Sequence, residues 1–128
     1  MTDFNQANNR AVWFDIPVRD LERACVFYEN VLAIGVARQS FEDFQMGVLD
    51  HDKGNGGCLF LNPGEISSTG GLLVYLNCEG RLADAVAKVR EFGGEVVQDL
   101  HAIGPHGFRA VVLDSEGNRV ALHSMSEG

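Results

Sequence analysis

The sequence predicts an α+β fold of two tandem strand-helix-three-strand modules, and three observations carry that prediction. Residues 11–35 place apolar Val12, Phe14, Ile16 and Val18 at period two, then Leu21, Ala24, Tyr28, Val31 and Leu32 at helical spacing. The same pattern returns about sixty residues later, with Leu72, Val74 and Leu76 alternating and Leu82, Ala85, Val89 and Phe92 forming a helical stripe. Each unit is followed by short strand-like runs separated by glycine-rich and proline-containing stretches. A unit that recurs once within 128 residues fits two copies packed as one domain.

Taken in order, residues 1–10 are a polar tail. The first strand breaks at Arg19-Asp20, and its helix ends before Gly35. GVARQSFEDFQMGVLD supplies two short strands turning near Glu42-Asp43, with Phe41, Phe44, Met46, Val48 and Leu49 as their apolar content. HDKGNGG has no apolar face and reads as a loop, and CLFL (58–61) is a strand ending at Pro63. Module one therefore covers 11–62, a Gly/Ser/Pro-rich linker 63–70, and module two 71–125, within a single domain over 11–125. In module two the helix stops at Gly93-Gly94, GEVVQDL (94–100) is a strand and HAIGPHG (101–107) a loop. FRAVVLDSEGNRVALHS closes the chain as a hairpin around Asp114-Ser115-Glu116-Gly117-Asn118.

Composition excludes several functions. A net charge of −8 lacks the Lys and Arg concentration that phosphate backbones require, so no nucleic-acid partner is expected. No run approaches the roughly 20 apolar residues of a membrane helix, and MTDFNQANNR lacks the features of a secretory signal, so no membrane partner and a cytoplasmic location are expected. Cys25, Cys58 and Cys78 share no CxxC spacing and sit in apolar runs, which favours buried free thiols. No phosphate-cradling glycine motif and no GxSxG elbow is present.

IPVRDLERACVFYENVLAIG, the VYLNC run with its following helix and Gly93-Gly94, and the ending LDSEGNRVALHS together resemble the vicinal oxygen chelate superfamily over residues 11–125. That superfamily includes glyoxalase I, extradiol dioxygenases, fosfomycin-resistance enzymes and bleomycin-binding proteins. The chain is most similar to its small bacterial members related to lactoylglutathione lyase. The resemblance implies the glyoxalase/bleomycin resistance/dihydroxybiphenyl dioxygenase-like fold, a curved mixed sheet with helices outside and a central cleft, and a homodimer. It also implies where a divalent cation would be held by His or Glu. The corresponding places carry Trp13, Leu73 and Ala121, with the fourth somewhere in Cys58 to Phe60. Three of the four offer no lone pair to a hard or borderline cation, so no cofactor is expected at the family's metal position; a displaced divalent-metal site built on Asp15 and His123, both ligand types, stays open as the alternative, though two ligands are few for a tight site.

Alternation puts Asp15 on the face of Trp13, Tyr75 and Asn77 on that of Leu73, and Arg119 and His123 on that of Ala121. Read without a metal, this wall is a pocket for a small organic ligand: flat apolar area from Trp13 and Tyr75, directed polar groups from Asp15, Asn77, Arg119 and His123. Asp15 should be neutralised there by Arg119 or His123, and an Asp15-His123 pair would be the candidate catalytic acid and base. Each residue also has a purely structural reading: Trp13 as a plug, Asp15-Arg119 as an internal ion pair, His123 as a satisfied core or surface histidine, Tyr28 as core. His51, His101 and His106 read as solvated loop residues, with His106 as a possible pocket rim. Three functions remain open: a small-molecule binder, a glyoxalase-like lyase/isomerase or dioxygenase acting on an oxygenated small molecule with or without a metal, and a partner-binding module with a filled cleft. Whether the protein is an enzyme is left undecided.

Overall fold

The structure, a computed structural model, describes residues 11–41 and 43–128; the predicted tail 1–10 and Glu42 of the predicted turn lie outside the described residues. β1 (Asp15–Val18) is shorter than its alternation suggested, because β4 (Cys58–Leu61) pairs with it in parallel only from Asp15 opposite Cys58 to Val18 opposite Leu61. Val12, ahead of any partner strand, is 71% exposed. Ile16 and Val18 face the core, while Asp15 stands on the opposite, open face.

α1 (Leu21–Leu32) begins where Asp20 accepts the backbone N–H of Arg23, filling one of the helix's unpaired donors. It buries Ala24, Cys25, Phe27, Tyr28 and Val31 and ends at Ala33, which takes the left-handed turn at φ 56° two residues before Gly35. β2 (Val36–Phe41) and β3 (Phe44–Leu49) form a hairpin, and β3 pairs antiparallel with β4. A 3-10 helix (Pro63–Glu65) and an irregular stretch lead to β5 (Tyr75–Asn77).

Module two repeats the plan: α2 (Leu82–Glu91), β6 (Glu95–Ala102), a 3-10 helix (Gly104–His106), β7 (Phe108–Leu113) and β8 (Arg119–Ser124). The predicted loop over 101–107 is shorter than expected, since His101 and Ala102 belong to β6. The strands form two four-stranded mixed sheets of identical plan, β1-β4-β3-β2 and β5-β8-β7-β6. The α+β fold of two βαβββ modules is therefore what the chain adopts. Each helix packs on its own sheet, the two helices touch each other, and the buried residues join in one core running through both modules.

The turn between β7 and β8 fastens the modules together. Glu116, 4% exposed, accepts from the backbone N–H groups of Arg19 and Asp20 and from the Arg23 guanidinium at 2.7 and 2.9 Å. Asn118 donates to the Pro17 carbonyl, and Tyr28 donates its hydroxyl to Asp114 at 2.6 Å. What reads in sequence as a hairpin turn is thus also a buried polar network. Burial pulls the Glu116 carboxyl upward, but Arg23 and the surrounding donors outweigh it and hold it at about 2. For Asp114 burial wins, and its carboxyl lies above the usual range despite the Tyr28 and Asn118 hydrogen bonds.

Candidate functional site

The face of the second sheet turned away from the helices carries a polar row. Register places Asn77 on β5 opposite His123 on β8, His123 opposite Arg109 on β7, and Arg109 opposite His101 on β6. Ala110, Val112 and Leu122 interleave with this row and point into the core. Gln98 and His101 are an odd number apart and would face opposite sides of a regular strand. An extra residue between them, against Val111 and Arg109 on β7, brings both to the open face.

Hydrogen bonds fix the protonation pattern of this row. His101 donates Nδ1–H to the Asp99 carbonyl at 2.7 Å, so its Nε2 is the acceptor for Arg109 Nε at 3.1 Å. His101 is therefore the neutral Nδ1–H tautomer with its lone pair occupied. Arg109 Nη1 donates to the Tyr75 hydroxyl at 2.5 Å, and the guanidinium lies 6.0 Å from the Tyr75 ring centroid. His123 donates Nε2–H to the His106 carbonyl at 2.7 Å, which leaves Nδ1 with a lone pair in the neutral ring. Tyr75, Ile103, His106, Arg109 and His123 line an open cavity of about 480 Å³, a size and makeup suited to a small molecule.

The wall expected from sequence is divided between this cavity and a second. Tyr75 and His123 line the first; Trp13, Asp15 and Arg119 line another of about 420 Å³, between β1, the linker and the start of β8. Trp13, 43% exposed, stands edge-on to His51 with centroids 5.5 Å apart. The expected neutralisation of Asp15 by Arg119 or His123 is corrected by the structure. Asp15 is solvent-exposed and accepts from the Cys58 thiol at 3.2 Å, so hydration removes the need for a counter-ion. Arg119 turns instead to the Gly71 carbonyl at 3.4 Å, with its Nε buried and unpartnered. The predicted Asp15-His123 pair does not form either, His123 being engaged with His106.

Asn77 is exposed and its side-chain oxygen accepts from the Glu79 N–H; Leu73 is half-buried just ahead of β5. Ala121 lies on the open face beside Tyr75 and Val111 but is fully covered, a floor to the row. His106 sits at the rim as expected, whereas His101, read from sequence as solvated, is a member of the row. Arg109 was missed altogether. Its signal was an arginine within FRAVVL, alternating with Ala110 and Val112 that face inward.

The donor set does not fit a resident cation. Trp13, Leu73 and Ala121 have no suitable lone pair, His101 Nε2 is taken by Arg109, and among the described residues no three His, Cys, Asp or Glu side chains converge as metal ligands. The Cys58 thiol is pushed up to about 11 by burial and by Asp15.

Residues 10–122 match the family described as the Glyoxalase/Bleomycin resistance protein/Dioxygenase superfamily. No curated protein matches the chain. Among solved structures, it is similar to a glyoxylase/bleomycin resistance protein/dioxygenase domain from Frankia sp. EAN1pec (17% identity, TM-score 0.72, covering 95% of this chain and 96% of that one). It is also similar to a glyoxalase-related enzyme from Fulvimarina pelagi (16%, TM-score 0.69, 91% and 88%) and to the fosfomycin resistance protein FosX from Listeria monocytogenes (13%, TM-score 0.69, 90% and 90%). At these identities the likeness is one of fold.

Proposed function

This chain belongs to the glyoxalase/bleomycin resistance protein/dioxygenase superfamily, and from that premise we propose that it binds a small organic molecule on the open face of β5-β8-β7-β6 without a metal ion. The observation that carries this reading is the cavity of about 480 Å³ in which Tyr75, Arg109 and His123 converge beside Ile103. A flat ring and an aliphatic side chain give area, while the guanidinium and the imidazole give direction. A thermal-shift screen of small organic molecules on the chelator-treated protein tests it, because a ligand at 100 times its dissociation constant adds about 2.7 kcal/mol. Hits should be lost on His123→Ala and Tyr75→Ala. Hits that demand added Zn, Ni, Fe or Mn would overturn the metal-free reading.

A second reading is favoured by one specific observation, the Nε2–H of His123 held by the His106 carbonyl, with no partner for Nδ1 among the described residues. A base so oriented suits proton transfer in a glyoxalase-like lyase or isomerase. His123→Ala would then abolish turnover of any substrate found.

We further propose a homodimer, in which a partner covers the exposed Trp13, Tyr75 and Leu72 and completes the half-open cavities. Sedimentation at micromolar concentration would give twice the chain mass. The setting we favour is the cytoplasm, supported by three free cysteines.

A further inference from the structure

We infer that the ligand of the Arg109 cavity is an organic anion with an apolar body, a carboxylate or phosphonate carried on a flat or aliphatic group. This deepens the binding reading above and rests on it. Arg23, Arg38, Arg81 and Arg90 each face a carboxylate of the chain, at 2.7, 2.6, 2.6 and 3.5 Å. Among the described residues Arg109, like Arg119, has no carboxylate partner; its partners are the neutral Tyr75 hydroxyl and the His101 Nε2 lone pair, and it is Arg109 that lines the cavity with Tyr75 and His123.

A guanidinium carries five N–H groups; two are engaged here, so three remain to donate. Arg109 is half-buried, and among the described residues no Asp or Glu lines its cavity, although the chain holds 18 acidic residues against 10 Lys and Arg. A positive charge withdrawn partly from water, held at two of its nitrogens and left without an internal counter-ion, is built to receive one from outside. The planar fork suits the paired oxygens of a carboxylate or phosphonate.

His123 and His101 sharpen the choice. Both have one ring nitrogen committed to a backbone carbonyl, which fixes their orientation, and neither brings negative charge. Ile103 and the Tyr75 ring complete the wall with apolar area for the ligand's body. The acidic surface elsewhere repels anions at long range, so recognition must come from this local geometry.

Isothermal titration with benzoate, phenylphosphonate and benzamide as probes tests the inference. The expected result is that either anion binds at least ~10-fold tighter than the neutral amide, about 1.4 kcal/mol. Arg109→Gln should bring the anion-to-amide ratio to about one, and Arg109→Lys should retain part of the preference. Lys53→Gln, a charge removed from the loop between β3 and β4 that does not line the cavity, should leave the ratio unchanged. Benzamide bound as tightly as benzoate by the native chain, or an Arg109→Gln ratio equal to the native one, would overturn the anion inference while leaving a binding cavity in place. Failure of all three probes to bind would remove the cavity reading and this inference together. Thermal unfolding of each variant alongside separates loss of binding from loss of fold.

Discussion

Arg109 gives its Nε–H to His101 Nε2 at 3.1 Å, and His101 is able to accept it because its other nitrogen already donates to the Asp99 carbonyl. The guanidinium is therefore held by a neutral group rather than a carboxylate, which positions it without consuming its charge.

His101→Phe should release that constraint. We expect the anion preference of the cavity to drop by ~3- to 10-fold, about 0.7–1.4 kcal/mol, with thermal stability little changed. His101→Gln, whose side-chain oxygen still accepts, should restore most of the loss; titration of both variants with benzoate checks this.

The clasp at Glu116 should make stability fall in acid. Its carboxyl is held at about 2 in the folded chain against an ordinary 4.5. The stabilisation is therefore complete above the ordinary value and lost as pH falls from about 4.5 toward 2. Glu116→Gln should cost on the order of 3 kcal/mol at neutral pH, since it leaves Arg23 and two backbone donors poorly matched. Urea unfolding of both chains across pH should show the difference narrowing only in that acidic window.

Tyr28→Phe removes a buried hydroxyl from a buried carboxylate, the Asp114 contact at 2.6 Å. A loss of about 1–3 kcal/mol is expected in urea unfolding. A cycle with Asp114→Asn should give a coupling near ~1 kcal/mol; strict additivity would show that the two groups do not interact.

Much of the fold was legible because its signals are local. Ile16 and Val18 alternate, Ala24, Tyr28 and Val31 follow helical spacing, and all are buried as read. The site was only partly legible because its signals are not local. His101 was read as the start of a loop because β6 runs two residues beyond the strand read from GEVVQDL, and the two register shifts within it leave no mark in the sequence. Asp15 and Arg119 share a cavity that His123 does not, because which strand ends adjoin is settled by packing between modules. Asp114, Glu116 and Asn118 look like turn residues in sequence and are buried only because α1 sits against them.

Two glycines beside the cavity should differ sharply. At Gly107, φ is 95° and an added Cβ would lie 2.6 Å from the Ser124 carbonyl, whereas at Gly104, φ is 65° with open space around it. Gly107→Ala should cost about 1–3 kcal/mol and weaken ligand binding by displacing His106, while Gly104→Ala should cost only about 1 kcal/mol. Thermal unfolding and probe titration compare them.

The thiols should be inert in the folded chain. Burial pushes Cys78 up to about 11, burial and Asp15 do the same for Cys58, and Cys25 is also raised by burial. Iodoacetamide at pH 7.5 should leave the native protein unmodified by mass spectrometry and add three groups after urea denaturation, one for each cysteine.

Among the described strands, β1 pairs only with β4 and β5 only with β8, in parallel. On a ribosome, each leading strand must wait for the whole of its module to emerge before it finds a neighbour. A nascent chain halted before residue 119 would leave Leu76 and the Tyr75 edge without their partner strand. Early termination in the final hairpin should therefore yield not a weaker protein but an aggregation-prone one, disposed of by proteolysis.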